Sequence, residues 1–460
     1  MQKIQFLTGI SAEKQQKLQK NCFRGETQNT ISGYAPLNDF QPEMAAIINQ
    51  RVDQGESSMG GAKPTLLHKI AGHVARINDV ILLSKDEGVW TASDDRSVRL
   101  YLKRDNDQFW PSIHHFMPVA PTCLFYSEET YKLLVGLING NVYEFNVADD
   151  FNSMTESRKW TCHAGPISGL GFALSSELIF SCSRDKSIVW HCSENSNKVG
   201  SYLLENSCTA MVIDLPFVFV GDHGGHVTVL RIIDNQPNLV SKLSAHTNSI
   251  TSLTWDGNKK VLYSGSSDHL IIMWDIGGGK GEAYELNGHN GKVTTLCAAP
   301  AAKRLFSADE HGKLMCWDMD VRRVETPEWK TSDCCQKCNQ PFFWNLQAMW
   351  QRKVVGLRQH HCRTCGSAVC GSCCDNWTTY PPMGYETKVR ICNDCAGRMK
   401  ENPGNFDLTP LAIPHEIRTG ITAMHLQETL GLLVTSGQNR VVMIWDVRSV
   451  CSAPSGSGSH

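Results

Sequence analysis

A recurring pattern of 43 residues constrains the fold of this chain more than any other feature of its sequence. The segments GSSDHLIIMWD and SADEHGKLMCWD both end in Trp-Asp, and their tryptophans, Trp274 and Trp317, stand 43 positions apart. A histidine precedes each tryptophan by 28 positions, at His246 and His289. Because self-similarity at a fixed period of about 20–50 residues is typical of repeat architectures, we predict a fold of equivalent, packed units.

Weaker or shifted copies of the pattern extend it along most of the chain. Three further histidines precede an aromatic residue by 27 to 30 positions: His73 before Tyr101, His163 before Trp190, and His415 before Trp445. The segments LLVGLINGNVYEF and VFVGDHGGHVTVL keep the apolar strand pattern and the turn glycines but lack the histidine and the Trp-Asp. Seven β-rich units result, and none is large enough to bury two faces alone. We therefore predict an all-β, seven-bladed propeller of four-stranded blades.

The dipeptides that open and close these units resemble those of the WD40 repeat. Opening Gly-His pairs stand at 72–73 and 288–289, and closing Trp-Asp pairs at 274–275, 317–318 and 445–446. In that family the histidine, a Ser or Thr, a turn Asp and the Trp are hydrogen-bonded within each blade. The resemblance assigns the turn role to Asp95, Asp185 and Asp268. His311 and Asn439 occupy this position in the last two repeats, so the resemblance does not extend the network to them.

The ends of the array predict how the ring closes. Only VRSVC and a polar tail follow the last Trp-Asp, which is too little for the outer strand of the seventh blade. The segment TLLHKI at 65–70 precedes the first repeat and has no other partner there. We predict that it supplies this outer strand, since closure of the ring removes an exposed sheet edge.

Composition changes mark the remaining boundaries. The first 63 residues are rich in Gln, Asn, Ser and Gly and show no sustained apolar period, so we expect them to be disordered. The tail is of low complexity, typical of a flexible tag or cloning remnant. The predicted divisions are 1–63 disordered, 64–325 blades one to six with 64–70 as the closing strand, 326–398 a cysteine-rich finger between blades six and seven, 399–450 blade seven, and 451–460 the tail.

The finger is predicted from a cluster of cysteines. Ten of the 19 cysteines lie between Cys334 and Cys395. Eight of them form four Cys-x2-Cys pairs: Cys335 and Cys338, Cys362 and Cys365, Cys370 and Cys373, Cys392 and Cys395. Eight thiolates suffice for two tetrahedral structural Zn²⁺ ions, whereas disulfides or a redox pair are disfavoured in a chain of this size without a secretory leader. Cys334 and Cys374 adjoin predicted ligands and stay open as substitutes.

A basic motif accompanies the cysteines. The sequence RQHHCRTCG at 358–366 and Arg390-Ile391-Cys392 resemble the signatures of FYVE zinc fingers, with Gln359 in place of a second basic residue. The resemblance implies crossed ligand pairing, with Cys335, Cys338, Cys370 and Cys373 on one zinc and Cys362, Cys365, Cys392 and Cys395 on the other. It also implies binding of phosphatidylinositol 3-phosphate, because arginines can donate forked hydrogen bonds to its two phosphates.

The residues that the resemblance assigns to the membrane fall into two groups. The expected headgroup ligands are Arg358, His360, His361, Arg363, Arg390 and Asp333, the last standing one position late for the W-x-x-D motif of the family. The expected membrane-inserting loop contains Val354, Val355 and Leu357. We predict that the aromatic residues just before this loop, Phe342, Phe343, Trp344 and Trp350, pack against the finger or the propeller.

The function classes follow from these motifs and from what the sequence lacks. A net charge of −2 and a pI of about 6.8 argue against nucleic-acid binding, and no nucleophile or phosphate-loop motif predicts an enzyme. No apolar stretch approaches the length of a transmembrane span.

The whole layout resembles the WD-repeat and FYVE-domain-containing proteins. This resemblance implies a cytoplasmic scaffold, peripheral on early endosomes, with protein partners on its propeller and a homodimer or second contact for stable residence. The alternative, a ubiquitin-ligase subunit, is disfavoured because RING and PHD fingers carry a histidine ligand that the four cysteine pairs lack.

Overall fold

The structure is a computed structural model that describes residues 62–85, 88–277, 283–321, 323–403, 406 and 408–452. The segment predicted to be disordered and the C-terminal tail lie almost entirely outside the described residues. Within them, strands dominate and the helices are short.

Twenty-one strands precede the sixth sheet, and all of them pair antiparallel. The chain enters through β1 (Thr65–Ala71). Five consecutive four-stranded sheets follow: β2 (Ile77–Leu82), β3 (Val89–Ser93), β4 (Ser97–Lys103) and β5 (Phe109–Phe116); β6 (Pro121–Ser127), β7 (Lys132–Leu137), β8 (Asn141–Val147) and β9 (Met154–Thr161); β10 (Ile167–Ala173), β11 (Leu178–Ser183), β12 (Ser187–Cys192) and β13 (Lys198–Leu203); β14 (Cys208–Asp214), β15 (Phe217–Asp222), β16 (His226–Ile233) and β17 (Gln236–Ser244); β18 (Ile250–Asp256), β19 (Val261–Ser266), β20 (Ile271–Asp275) and β21 (Ala283–Leu286).

The finger interrupts the sixth sheet. After β22 (Val293–Ala299), β23 (Arg304–Asp309) and β24 (Lys313–Asp318), the chain forms the finger from α1 (Leu346–Arg352), β25 (His360–His361), β26 (Ala368–Val369), β27 (Asn376–Tyr380), β28 (Tyr385–Ile391) and α2 (Asn393–Glu401). It returns through β29 (Ala412–Glu416), which pairs with β24 as the outer strand of sheet six. The finger therefore follows the Trp-Asp that closes the sixth repeat, as predicted, but the segment 399–450 completes sheet six before it begins sheet seven.

The ring closes with a strand from each end of the chain. The seventh sheet contains β30 (Ile421–Gln427), β31 (Leu432–Gly437) and β32 (Val441–Asp446), followed by a single helical turn, α3 (Arg448–Cys451). Strand β1 pairs antiparallel with β32, with Leu66 opposite Trp445 and Ala71 opposite Val441. The predicted closing strand is thus observed, and the seven-bladed fold is confirmed.

Packing between neighbouring sheets forms the core. The second strand of five sheets is buried along its entire length: β3, β11, β19, β23 and β31. These strands are continuous apolar or small-residue runs, as expected where both faces of a strand are covered. Large side chains such as Trp90, Phe145 and Phe180 are fully buried between blades. Burial in seven such layers holds the ring together.

A hydrogen-bonded set recurs inside the blades. In the fifth sheet His246 Nδ1 lies 2.9 Å from an Asp268 carboxylate oxygen, His246 Nε2 lies 2.8 Å from Ser264 Oγ, and the Trp274 indole N–H donates to the same Oγ at 2.8 Å. The first and third sheets use the predicted Asp95 and Asp185 in the same way. In the fifth sheet the set joins β19, β20 and the turn between them to the loop that precedes β18.

The sixth blade keeps this network through a residue that the spacing did not identify. His289 Nδ1 lies 3.0 Å from Asp309, its Nε2 lies 2.7 Å from Ser307 Oγ, and Trp317 donates to Ser307 at 2.8 Å. Asp309 also accepts hydrogen bonds from the amides of His311 and Lys313, which lie in and just after the turn. The sequence left this network open at His311, and the structure completes it because an aspartate two residues earlier reaches the histidine.

The seventh blade lacks the histidine of the set. His415 lies within β29, where its ring packs edge-on against Trp445 at a centroid distance of 5.2 Å. The buried Ile417 instead precedes the inner strand β30 by four residues, and its amide donates to the Gly312 carbonyl. Ile417 therefore takes the position that His163 takes in the third blade, where the amide of His163 donates to Gly140. The 30-residue spacing of His415 reflected this displacement.

The finger is docked on the propeller rather than only tethered to it. Asn287, which follows β21 of sheet five, forms two backbone hydrogen bonds with the finger. Its amide donates to the Gly384 carbonyl at 2.8 Å, and its carbonyl accepts from the Glu386 amide at 2.9 Å. The buried guanidinium of Arg323 donates to Pro381 and Asp318 carbonyls, joining finger to sheet six. The turn before β28 is thereby fixed against two neighbouring blades.

The described helices are too short to cross a bilayer. The longest, α2, has nine residues, and no helix in the described ranges is both long and apolar enough for a membrane span.

Replacement of Asp309 tests whether Asp309, rather than the residue at position 311, completes the hydrogen-bonded network of the sixth blade. Asp309→Ala leaves the His289 ring and two turn amides without an acceptor, so we expect a loss of about 2 kcal/mol or more in the free energy of unfolding. His311→Ala, at an exposed turn position, is the matched control and is expected to change it by less than about 0.5 kcal/mol. Equal effects in a chemical denaturation series would contradict the assignment.

Replacement of Gly384 is expected to undock the finger without unfolding it. Gly384 has a φ of +82°, and a Cβ there would collide with the Glu285 carbonyl oxygen of sheet five. Gly384→Ala should therefore speed amide hydrogen exchange at 283–287 and 381–387 while two zinc ions stay bound. Gly397→Ala, in a finger position where a Cβ meets nothing within 4 Å, is the control. Unchanged exchange in Gly384→Ala would contradict the docking account.

Candidate functional site

The first cysteine cluster joins two distant Cys-x2-Cys pairs. The sulfurs of Cys335, Cys338, Cys370 and Cys373 all lie within 4.8 Å of one another, and Cys338 Sγ is 3.6 Å from Cys370 Sγ. The Cys370 amide donates to Cys335 Sγ at 3.3 Å. Amide donors of this kind favour the thiolate form that binds metal.

The second cluster joins the two remaining pairs. The sulfurs of Cys362, Cys365, Cys392 and Cys395 meet the same 4.8 Å limit, and Cys365 Sγ is 3.9 Å from Cys392 Sγ. The Cys392 amide donates to Cys362 Sγ at 3.2 Å, and the Arg398 guanidinium donates to Cys395 Sγ at 3.0 Å. The first cysteine pair shares a cluster with the third, and the second pair shares a cluster with the fourth, which confirms the predicted crossed order.

Both clusters fit zinc. A tetrahedral ion with Zn–S bonds of about 2.3 Å places its sulfurs about 3.8 Å apart, close to the two separations measured between pairs. The donors are all thiolates, and four of them fill the tetrahedron, so the sites are structural and leave no position for a catalytic water. Cys334 and Cys374 are not members of either cluster. Cys374 is instead buried among the apolar residues of the finger.

The basic residues lie on the strands that the zinc ligands hold. His360 sits in β25, immediately before ligand Cys362, and Arg390 sits at the end of β28, just before ligand Cys392. Burial lowers the pKa of His360, and the positive charges of Arg390 and Arg358 lower it further. Arg358 is exposed. His360 and Arg390 each stand two residues before a ligand of the second cluster, and the Arg363 amide donates to the Arg390 carbonyl at 3.1 Å, so these three basic residues share one part of the finger.

Trp329 packs against two further residues of the basic motif, His361 and Arg363. Its ring stacks on His361 with centroids 4.7 Å apart, and the Arg363 guanidinium lies over the same ring at 4.6 Å. Burial lowers the pKa of His361, which a bond to the Lys330 carbonyl partly offsets. The W-x-x-D resemblance pointed to Trp329, but its role as a platform for a histidine and an arginine was not predicted.

Two further contacts of the arginines were missed by the sequence analysis. Arg390 lies over the exposed ring of Trp377 at 4.7 Å, its partner across the β27–β28 pair. Glu285 of the propeller lies near Arg363: burial raises the pKa of the Glu285 carboxyl, and the positive charge of Arg363 partly offsets this rise. Glu285 had no sequence signal, because only the docking of finger on blade brings it there.

Asp333 lies apart from the basic residues. Its carboxylate accepts a hydrogen bond from the Trp344 indole at 3.1 Å, and its carbonyl accepts from the Phe342 amide at 2.9 Å. No hydrogen bond or ion pair joins it to Arg358, Arg363 or Arg390 in the described part of the chain. Its proposed contact with inositol hydroxyls remains a prediction. Gln359, which replaces a basic residue, approaches His361 Nε2 at 3.4 Å.

The predicted membrane loop is partly exposed. Val355 is 77 % exposed, whereas Val354 and Leu357 are half-buried. The Leu357 amide donates to the Pro341 carbonyl, and its carbonyl accepts from the Phe343 amide, so the base of the loop is fixed to the preceding segment. The loop thus presents one apolar tip beside the exposed Arg358.

The expectation that the four aromatic residues pack against the finger or the propeller holds for Phe342 and for Trp344, whose rings lie 5.2 Å apart, but was wrong for Trp350. Only Phe342 is fully buried, in the core of the finger. Phe343 and Trp344 are each about half exposed, and Trp350 is 88 % exposed. Trp350 lies on the short helix α1, which contains no buried residue.

Comparison with known proteins agrees with both parts of the fold. A model of the FYVE zinc finger matches residues 327–401, and a model of the WD domain, G-beta repeat, matches 154–191, 237–275 and 281–318. A Caenorhabditis elegans protein called WD repeat and FYVE domain-containing protein 2 is 95 % identical over 414 residues, covering 90 % of this chain and all of the relative.

More distant relatives match most or a small part of this chain. The human WD repeat and FYVE domain-containing protein 2 is 42 % identical and covers 85 % of this chain and 97 % of its own length. A Yarrowia lipolytica protein called vacuolar protein sorting-associated protein 27 matches 76 residues at 37 % identity, which is 16 % of this chain and 11 % of the relative.

The ligand assignment can be tested at Cys373, the second residue of the third pair, and at its neighbour Cys374. Cys373→Ala removes a ligand and is expected to lower the zinc content from two ions to one per chain. Because each structural zinc contributes on the order of 10 kcal/mol to folding, the finger should also lose protection from proteolysis. Cys374→Ala, which removes a neighbouring thiol outside both clusters, should keep two ions. Atomic emission measures the zinc content of the two variants, and an equal loss of zinc in both would contradict the pairing.

Proposed function

The chain belongs to the family of WD-repeat and FYVE-domain-containing proteins, and from this premise we propose that it is a peripheral membrane scaffold. Its finger binds phosphatidylinositol 3-phosphate, and its propeller binds protein partners. The observation that carries the proposal is the grouping of His360, Arg363 and Arg390 around the second cysteine cluster, a few residues after the exposed apolar tip at Val355.

The chemistry of the headgroup fits this surface. A 3-phosphorylated inositol lipid presents a monophosphate and a phosphodiester, and arginine donates paired, charge-assisted hydrogen bonds to such groups. The His360 ring adds a donor in its neutral form, because one ring nitrogen carries a proton at neutral pH. The net charge of the chain is −2. Attraction to phosphate therefore comes from this local cluster and not from the protein as a whole.

The aromatic platforms prepare the site before a lipid arrives. Trp329 holds Arg363 and His361, and Trp377 holds Arg390. A guanidinium already fixed over a ring loses less side-chain entropy on binding than one that moves freely in water. The zinc ions contribute by fixing the strands that carry these residues, and the donors to phosphate are the side chains themselves.

The propeller supports the scaffold half of the proposal. Its seven blades form a rigid ring, and the finger is docked on two of them, so a partner bound to the ring is held at a defined place relative to the lipid site. We propose binding rather than catalysis as its role, in the cytoplasm and on early endosomes. The printed name of the Yarrowia relative, which refers to vacuolar protein sorting, is in keeping with this compartment. A homodimer remains a prediction.

Loss of Arg363 is expected to weaken lipid binding while leaving the fold intact. Arg363→Ala should reduce affinity for vesicles containing phosphatidylinositol 3-phosphate about tenfold or more, since a charge-assisted hydrogen bond is worth about 1.5–3 kcal/mol. Lys388→Ala removes the same charge from an exposed position on β28 and is the matched control. Flotation with zinc analysis measures the effect. Equal affinities of the wild type for vesicles with and without phosphatidylinositol 3-phosphate would contradict the proposed function.

A further inference from the structure

The short helix α1 presents an apolar edge to solvent. Leu346 is 70 % exposed and Trp350 is 88 % exposed, and none of the seven residues of the helix is buried. Because positions four apart lie on the same side of a helix, these two side chains form one continuous edge. Exposure of so much apolar surface at one place is unfavourable unless another surface covers it.

This edge and the tip of the loop belong to one structural unit. The Val354 amide donates to the Met349 carbonyl at the end of α1. Gly356 lies so close to Phe343 and to the Met349 sulfur that a Cβ there would lie within 3 Å of both. The helix therefore cannot move independently of the loop that ends at Arg358.

The segment of sequence that contains the edge carries charge of one sign, and Asp333, which accepts a hydrogen bond from Trp344, stands at its beginning. The sequence contains no Asp or Glu between Asp333 and Asp375, whereas it contains Lys337, Arg352, Lys353, Arg358 and Arg363. In the sequence, Arg352 and Lys353 separate Trp350 from the Val354–Val355 tip, and both are exposed. An apolar surface bordered by cations matches a bilayer whose apolar interior lies beneath anionic headgroups.

We propose that α1 is a second membrane anchor, in which Trp350 and Leu346 enter the interface of an anionic bilayer beside the Val355 tip. Tryptophan is favoured at this depth because its ring is apolar and its indole N–H can reach polar headgroups. The anchor deepens the proposed lipid binding and depends on it for its orientation. It adds apolar contact area to a site that otherwise inserts one short loop.

A bilayer fits this edge better than a protein groove does. The edge is continuous, through Leu357 and Arg358, with the proposed headgroup site, so a flat surface that engages one must lie against the other. The same cations that border the edge would be buried without partners in an apolar protein groove, which is costly.

The test compares Trp350→Ala and Leu346→Ala with Trp110→Ala, a partly exposed tryptophan of the propeller strand β5. Two readouts are taken on the full chain: affinity for water-soluble dibutanoyl phosphatidylinositol 3-phosphate, and flotation with phosphatidylcholine–phosphatidylserine vesicles with or without the 3-phosphate lipid. We expect Trp350→Ala to keep its affinity for the soluble lipid and to bind vesicles about tenfold more weakly, with a smaller loss for Leu346→Ala and none for Trp110→Ala.

The outcomes separate this proposal from the proposed function. If Trp350→Ala binds 3-phosphate vesicles as well as the wild type does, the anchor is overturned while the headgroup function stands. If the wild type binds both kinds of vesicle equally and Trp350→Ala loses both, the anchor stands and the headgroup function fails. A wild type that floats with neither overturns both. If vesicle binding is unchanged and a dimer becomes a monomer in sedimentation, the edge belongs to a second copy.

Discussion

Zinc–thiolate coordination is the interaction on which the functional part of this protein depends. The interior of the finger is made largely of cysteine: six of the eleven buried members of its core are Cys335, Cys362, Cys370, Cys374, Cys392 and Cys395. The other five are the apolar residues Phe342, Ala368, Val369, Ile391 and Ala396. So small an apolar core cannot stabilise a fold by burial alone. Because His360, Arg363 and Arg390 lie within two residues of ligands, the metal sites that fold the finger also position the residues proposed to bind phosphate.

Docking fixes the orientation of the finger on the propeller. A finger inserted into a sheet is held at both ends, and here it also adds a backbone bridge to Asn287 and buries Arg323 against the sixth blade. The left-handed conformation of Gly384 lets the turn before β28 approach the fifth blade without a side chain in between. A membrane bound by the finger would therefore meet the propeller at a fixed inclination, and partners on the ring would be presented in a constant orientation.

Much of this architecture could be predicted from the sequence because it repeats. The histidine–aromatic spacing identified the blades, and the shortage of chain after Asp446 identified β1 as the closing strand. The crossed zinc pairing came from family resemblance, since spacing alone allows other pairings. Local substitutions could not be resolved, because Asp309 reaches His289 from another turn position and Ile417 replaces a displaced histidine. The exposure of Trp350 and the approach of Glu285 to Arg363 depend on tertiary packing, which leaves no periodic signal in the sequence.

The most direct measurement is hydrogen exchange of the full-length protein on vesicles that differ only in the position of one phosphate on the inositol ring. The account predicts that 3-phosphate vesicles recruit the protein and protect 354–363 and 385–391, whereas 4-phosphate vesicles do so weakly. Equal recruitment and equal protection by both lipids would show that the basic cluster responds to charge alone, and would contradict the claim that this finger recognises the 3-phosphate headgroup.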